Sequence, residues 1–121
     1  MSITCRFGWP RSVRLRRSAD FRVVQRDGRR FHTLALQCRA VRGEGPGPRC
    51  GLSVSRKVGN AVARNRVKRW LREALRHHLG GLPTVDLVII ARPEAAQASA
   101  EALRAQVEQV LTKVRERSWG G

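Results

Sequence analysis

The chain has no tyrosine, one methionine and three cysteines in 121 residues, and acids are scarce, with nine Asp+Glu against 25 Lys+Arg. Cys5, Cys38 and Cys50 are an odd set with no close pair. Their spacing excludes a CxxC redox motif and the paired ligands of a zinc site. Cys38 and Cys50 fall in strand-like stretches and are expected to act as small buried apolar groups, which suits a reducing, cytoplasmic setting. No segment approaches the ~20 apolar residues of a spanning helix. The basic start, MSITCRFGWPRSVRLRR, lacks the apolar stretch of a secretory signal. A cytoplasmic protein without a membrane partner is expected.

Catalytic groups are also missing. Two-metal hydrolysis needs clustered carboxylates, and acid–base work needs a placed pair of titratable groups. Asp20, Asp27, Glu44 and Glu73 are scattered among arginines. His77 and His78 are adjacent on a helix and point about 100° apart, a poor geometry for sharing one ion. They read as surface residues at a helix C-terminus, where positive charge is favourable. His32 stands alone. The sequence therefore offers no catalytic residue, no metal ligand set and no small-molecule site.

What is abundant is positive charge, unevenly placed. The formal net charge is +16. Residues 1–78 hold 20 Lys+Arg and four Asp+Glu, whereas residues 79–121 hold five of each sign. All the excess lies in the first two-thirds, where it can form a patch that attracts polyanions. With 41% hydrophobic residues and this length, the chain suits one domain with one core. A flexible basic segment is expected over 1–13 and a single domain over 14–117.

Local patterns give an order of roughly α-β-β-(β)-α-β-α, an α+β, two-layer α-β sandwich. Ser18 and Asp20 suit the start of a short helix, Phe21 and Val24 share a face, and Gly28 is a stop. Phe31 to Val41 alternates, with Leu34, Leu36, Cys38 and Ala40 on one face, and it is open to a break into two strands. A Gly/Pro-rich turn, residues 43–49, separates it from a second strand, Cys50 to Arg56, with Leu52 and Val54 on one face. The two are expected to pair as a hairpin. A helix follows from about Ala61 to His78, with a core stripe of Ala63, Val67, Trp70, Leu71, Ala74 and Leu75. Val85 to Ala91 is nearly all apolar and reads as a strand covered on both faces. A last helix capped by Ser99 carries the stripe Leu103, Val107, Val110, Leu111 and Val114.

The run KVGNAVARNRVKRWLRE, residues 57–73, is the most informative segment. It holds Lys57, Arg64, Arg66, Lys68, Arg69 and Arg72 and one acid, Glu73, after a turn at Gly59 and a capping Asn60. Arg64, Lys68, Arg72 and Arg76 recur every four residues, with Asn65 and Arg69 beside them. A helix fixes several guanidinium forks in register, and each fork matches a phosphate. This is the makeup of a protein that grips structured nucleic acid. A charge run is often only a solvated face, but here the sign is too one-sided. An anionic membrane is the rival polyanion, and the apolar face of this helix is narrow and needed by the core.

The stretch SVSRKVGNAVARNRVKRWLREALR, residues 53–76, resembles the protein subunit of bacterial ribonuclease P, whose pattern runs K-x-G-N-A-V-x-R-N-R-x-K-R-x-x-R-E. Leu15 to Gly28, with Asp20-Phe21 and the later Arg29-Arg30, is similar to that family's first helix and its exit. The resemblance covers most of residues 14–115. It implies a left-handed βαβ crossover made by the strand ending near Ser55, the basic helix and the strand 85–91. It also implies a protein cofactor of a ribonucleoprotein that removes the 5′ leader from precursor tRNA, with ribonuclease P RNA carrying the chemistry and the magnesium. Residues Lys57, Arg64, Asn65, Arg66, Lys68, Arg69, Arg72 and Arg76 would then meet RNA. Phe21, Ser53 and Ser55 would line a cleft for the single-stranded leader. Family members often carry a second aromatic one helical turn after the first, and this chain has Gln25 there. Stacking in the cleft is then weaker, or supplied by Phe31. A ribosomal or chaperone-like protein that binds structured RNA is the alternative that composition alone leaves open.

Overall fold

The structure is a computed structural model that describes residues 18–45, 47–78 and 81–119. The expected flexible segment over 1–13 and the domain boundary at 14 lie outside the described residues. The elements are α1 (Ser18–Asp27), β1 (Arg29–His32), β2 (Leu36–Arg42), β3 (Arg49–Ser53), α2 (Ala61–His78), β4 (Val85–Ala91), a 3-10 turn (Pro93–Gln97) and α3 (Ala100–Glu116). One four-stranded sheet runs in the order β1-β2-β4-β3. Its first three strands are antiparallel neighbours, and β3 is parallel to β4.

The α+β sandwich expected from the sequence is present, with one reassignment of neighbours. β2 and β3 do not pair as a hairpin, because β4 lies between them. The reason is in β4 itself. Six of its seven residues are buried, and a strand apolar on both faces suits the sheet interior, where helices cover both of its faces. β3–α2–β4 is accordingly a βαβ unit of parallel neighbours, with Cys50 opposite Leu87 and Ser53 opposite Ile90.

The first strand region is broken in two. Thr33 to Ala35 turn the chain between β1 and β2, and Leu34 sits at the tip, 74% exposed, not on the inner face. Gln106 of α3 fixes this turn. Its Oε1 accepts from the Ala35 N–H at 2.8 Å and from the Thr33 hydroxyl at 2.6 Å. The alternation holds again from Leu36, where Leu36, Cys38 and Ala40 are all buried. At the other end of β1, Gly28 lets α1 run straight into the sheet. Its N–H closes the helix on the Val24 carbonyl at 2.8 Å. A Cβ there would collide with that carbonyl and come within 3.0 Å of Ala40 N, so glycine is required by close approach.

The main core lies on one face of the sheet. Leu36, Cys38, Ala40, Cys50, Leu87 and Ile89 pack against Val67, Leu71, Ala74 and Leu75 of α2 and against Leu103, Val107, Val110, Leu111 and Val114 of α3. Both helical stripes read from the sequence are the stripes that are buried, apart from Ala63 and Trp70, which are half-buried. Ser99 caps α3, its hydroxyl accepting from the Ala102 N–H at 3.0 Å. The opposite face of the sheet is covered only by α1, through a small cluster of Val24 and Val88 with Phe21, Val41 and Ile90 around them. The sheet and the α2–α3 pair thus form the two principal layers, and α1 adds a partial third.

Cys38 and Cys50 are free and fully buried, flanking β4. Burial pushes the Cys38 thiol up to about 12. It raises the Cys50 thiol as well, with Cys38 and Asp86 adding to the effect. Both behave as small apolar groups, and neither is a reactive thiolate.

Candidate nucleic-acid interface

The basic segment begins in a tight turn. The Val58 N–H donates to the Ser55 carbonyl at 3.1 Å and the Gly59 N–H to the Arg56 carbonyl at 3.2 Å. Val58 is buried and anchors the turn, while Ser55, Arg56 and Lys57 are exposed. Gly59 has φ +156°, and a Cβ on it would press on Ala63. A side chain there is disfavoured on both counts. Asn60 is the N-cap expected from the sequence. Its Oδ1 accepts from the Ala63 N–H at 2.9 Å, and its carbonyl accepts from the Arg64 N–H at 2.9 Å. Substituting such a cap with Ala typically costs ~1 kcal/mol. The first turn of α2 has no acid, so no carboxylate of its own adds to the Asn60 cap at the positive end of the helix dipole beside Arg56 and Lys57.

Helix geometry then sorts the cations. At ~100° per residue, Arg64, Lys68 and Arg72 fall on one flank of the buried stripe, and Arg66 and Trp70 on the other. Arg64, Lys68 and Arg72 are half-buried, whereas Asn65, Arg69 and Arg76 are exposed on the outward side. The Trp70 flank faces α3. Trp70, Glu73, Ala74 and His77 join Ala100 and Arg104 around a cleft of about 130 Å³. The Arg64 flank therefore turns away from α3. Arg66 lies over the Trp70 ring, with Cζ 5.5 Å from its centroid.

The second part of the site is the sheet face under α1. Phe21 is half-buried there beside Val24, Val88 and Ile90. Ser53 is the register partner of Ile90, so its side chain shares that face. Ser55 lies beyond the end of β3, in the turn, where its Oγ accepts from the Lys57 N–H at 3.3 Å. Phe31 does not join this group. It pairs with Cys38 and packs on the main core, on the opposite face of the sheet. The alternation that places Cys38 toward α2 and α3 carries Phe31 with it.

Three groups here were not singled out from the sequence. Arg49 bridges two carboxylates. It makes a paired contact with Asp86, Nε to Oδ1 at 3.0 Å and Nη2 to Oδ2 at 2.8 Å, and its Nη1 is 3.6 Å from Asp20 Oδ2. Asp86 is buried within an otherwise apolar strand, and an acid in such a strand signals a basic partner. Arg39, half-buried under α1, donates from Nη1 to the Gln25 carbonyl. Arg56 extends the cationic turn, and its signal was adjacency to Lys57. Among the described residues, no group of three or more His, Cys, Asp or Glu is placed to hold a metal ion. Among them, too, no helix is long and apolar enough to cross a membrane.

Comparison with known proteins bears on this arrangement. The family model described as Ribonuclease P matches residues 9–115. The chain is 42% identical over 111 residues to the ribonuclease P protein component of Desulfovibrio desulfuricans, covering 85% of this chain and 82% of that one. It is 38% identical over 119 residues to the corresponding component of Brucella melitensis, covering 90% and 84%. Among solved structures, the RNase P protein of Staphylococcus aureus superposes with a TM-score of 0.79 at 30% identity, covering 86% of this chain and 98% of that one. The RNase P protein of Thermotoga maritima superposes with a TM-score of 0.75 at 27% identity, covering 84% and 96%. With sequence relationship and fold in agreement over nearly the whole described chain, the protein belongs to the ribonuclease P protein component family.

Proposed function

We propose that this chain acts as the protein subunit of ribonuclease P, binding the catalytic RNA through α2 and holding the 5′ leader of precursor tRNA against the α1 face of the sheet. The observation that carries this reading is the capped cationic helix joined by an exposed basic turn to a half-open sheet face bearing Phe21 and Ser53. Lys57, Arg64, Asn65, Arg66, Lys68, Arg69, Arg72 and Arg76 supply the phosphate contacts. A rigid helix presents them with little to reorganise on binding. Phe21 offers an aromatic surface to unstacked bases, a sequence-tolerant contact worth ~1–3 kcal/mol per base. That tolerance suits a leader that differs from one tRNA to the next.

The chemistry belongs to the RNA in this reading. Among the described residues, Asp20 and Asp86, the carboxylates near the sheet face, are both engaged by Arg49. Magnesium enters with the RNA subunit. The protein neutralises phosphate charge and places the leader.

The test is 5′ cleavage of a precursor tRNA at low magnesium by a bacterial ribonuclease P RNA, with and without this protein. Cleavage that needs both RNA and protein, with none from protein alone, is the expected result. Cleavage by the protein alone would overturn the division of labour. RNA binding without any stimulation would leave a general structured-RNA-binding protein. Binding should also fall steeply with salt, with a log–log slope of ~−0.7 for each phosphate contacted on a single strand.

A further inference from the structure

We infer that Trp70 is a positioning residue for the RNA contact made by Arg66, an inference that rests on the function proposed above. The two side chains are one helical turn apart on the α3 flank of α2, and the guanidinium carbon lies 5.5 Å from the indole centroid. That is within the range of a cation–π contact. Trp70 is held from behind, since it packs on the main core and lines the cleft between α2 and α3. The platform is therefore fixed before any RNA arrives.

The state of the Arg66 side chain supports this. Its Nε is buried and has no hydrogen-bond partner among the described residues, although the residue as a whole is only half-buried. A guanidinium offers two donor forks, one along the Nε side and one at the Nη1/Nη2 end. With Nε shut off from solvent, the Nη1/Nη2 end is the fork left to meet a phosphate. The ring takes the place of water over the guanidinium plane, which arginine accepts because it is weakly hydrated and planar. A free arginine loses side-chain entropy on binding, and one already stacked loses less. Lysine, a compact and strongly hydrated point charge, would gain none of this.

The experiment measures binding of the full-length protein to a fluorescently labelled bacterial ribonuclease P RNA, for wild type, R66A, R66K, W70L, W70F and R66A/W70L, with thermal unfolding of each. Leucine keeps apolar bulk but no ring, and phenylalanine keeps a ring. The expected result is that W70L weakens binding about three- to tenfold, the scale of one cation–π contact. W70F should recover most of that loss, R66K should lose as much as W70L, and R66A/W70L should bind no more weakly than R66A. A purely structural role for Trp70 would lower the unfolding temperature without this non-additivity. Wild-type binding by W70L, a W70L loss that adds fully to that of R66A, or wild-type binding by R66K would overturn the inference alone. If W70L fails to fold, the R66K and W70F results decide. No RNA binding by the wild-type protein would overturn the functional reading and the inference with it.

Discussion

The two faces of the sheet are built on different principles. The face toward α2 and α3 is closed by apolar side chains, and every residue of the α3 stripe on it is fully buried. The face toward α1 has one short helix over it, a cluster of two fully buried valines, and polar or charged groups at Arg39, Arg49, Ser53 and Asp86. The same strands serve both faces, because successive side chains point to opposite sides. The fold is thus secured mainly from one side, and the other face is left partly open. α2 belongs to both worlds. Its Val67, Leu71, Ala74 and Leu75 stripe closes the first face, and its remaining surface carries the cations.

Substitutions on each face in turn test this difference. Leu71→Ala removes a fully buried side chain at the joint of α2 and the sheet, and should cost ~2–5 kcal/mol in denaturant unfolding. Ser53→Ala on the open face should change stability by less than ~0.5 kcal/mol. Equal losses would mean that the open face also carries the fold. Arg49→Met comes next. It leaves Asp86 buried without its paired donors, yet Arg49 and Asp86 side chains keep 30% and 12% exposure. Solvent screening reduces the penalty of a broken buried pair, so the expected loss is roughly 1–3 kcal/mol. If Arg49→Met proves neutral, the Asp20–Arg49–Asp86 bridge does not tie α1 to the sheet.

The two phenylalanines provide a smaller, crossed comparison. Phe21→Leu should weaken binding of a precursor tRNA with a 5′ leader by about 1 kcal/mol, roughly fivefold, and should leave binding of mature tRNA unchanged. Phe31→Leu should lower stability by a similar amount and leave leader dependence intact. The reverse pattern would exchange their assigned faces.

The legible parts of this chain were those in which one local pattern decides the outcome. The 3.6-residue stripes of α2 and α3, the Asn60 and Ser99 caps and the glycine turn at Gly59 all act within a few residues, and the structure has them where the sequence put them. Strand neighbours were legible only in part: the resemblance implied the β3–α2–β4 unit, but local pattern alone put β2 beside β3. A hairpin between β2 and β3 is the local solution, whereas the observed order puts β4 between them, where helices distant in sequence cover both of its apolar faces. Leu34 fits the alternation of its neighbours but is turned out by Gln106, 71 residues beyond Ala35. Phe31 was placed with Phe21 as a stand-in for the second aromatic that the family resemblance implies, and only strand register separates them. In the candidate site, helical spacing already set Arg64 and Arg66 on different flanks of α2, but it did not show which flank α3 covers, because a linear pattern carries no information about what packs beside each flank.

The dryness of the closed face has its own, modest probe in Cys38. The thiol is ordinarily near 9.0 and is pushed up to about 12 by burial. Folding therefore favours the protonated form. The contribution is whole below pH 9 and declines as pH rises from 9 toward 12, because the unfolded chain releases its proton first. At pH 9.5 the loss from this one thiol is under about 1 kcal/mol. Other groups titrate in the same range, so the useful quantity is a difference. Denaturant unfolding of wild type and Cys38→Ala at pH 8 and pH 9.5 isolates it, since lost packing in the variant is the same at both pH values. The wild type should lose more stability between the two than the variant does. Equal losses would mean that water reaches Cys38 and that the closed face is not dry. The contrast between the faces would then reduce to how many side chains cover each one.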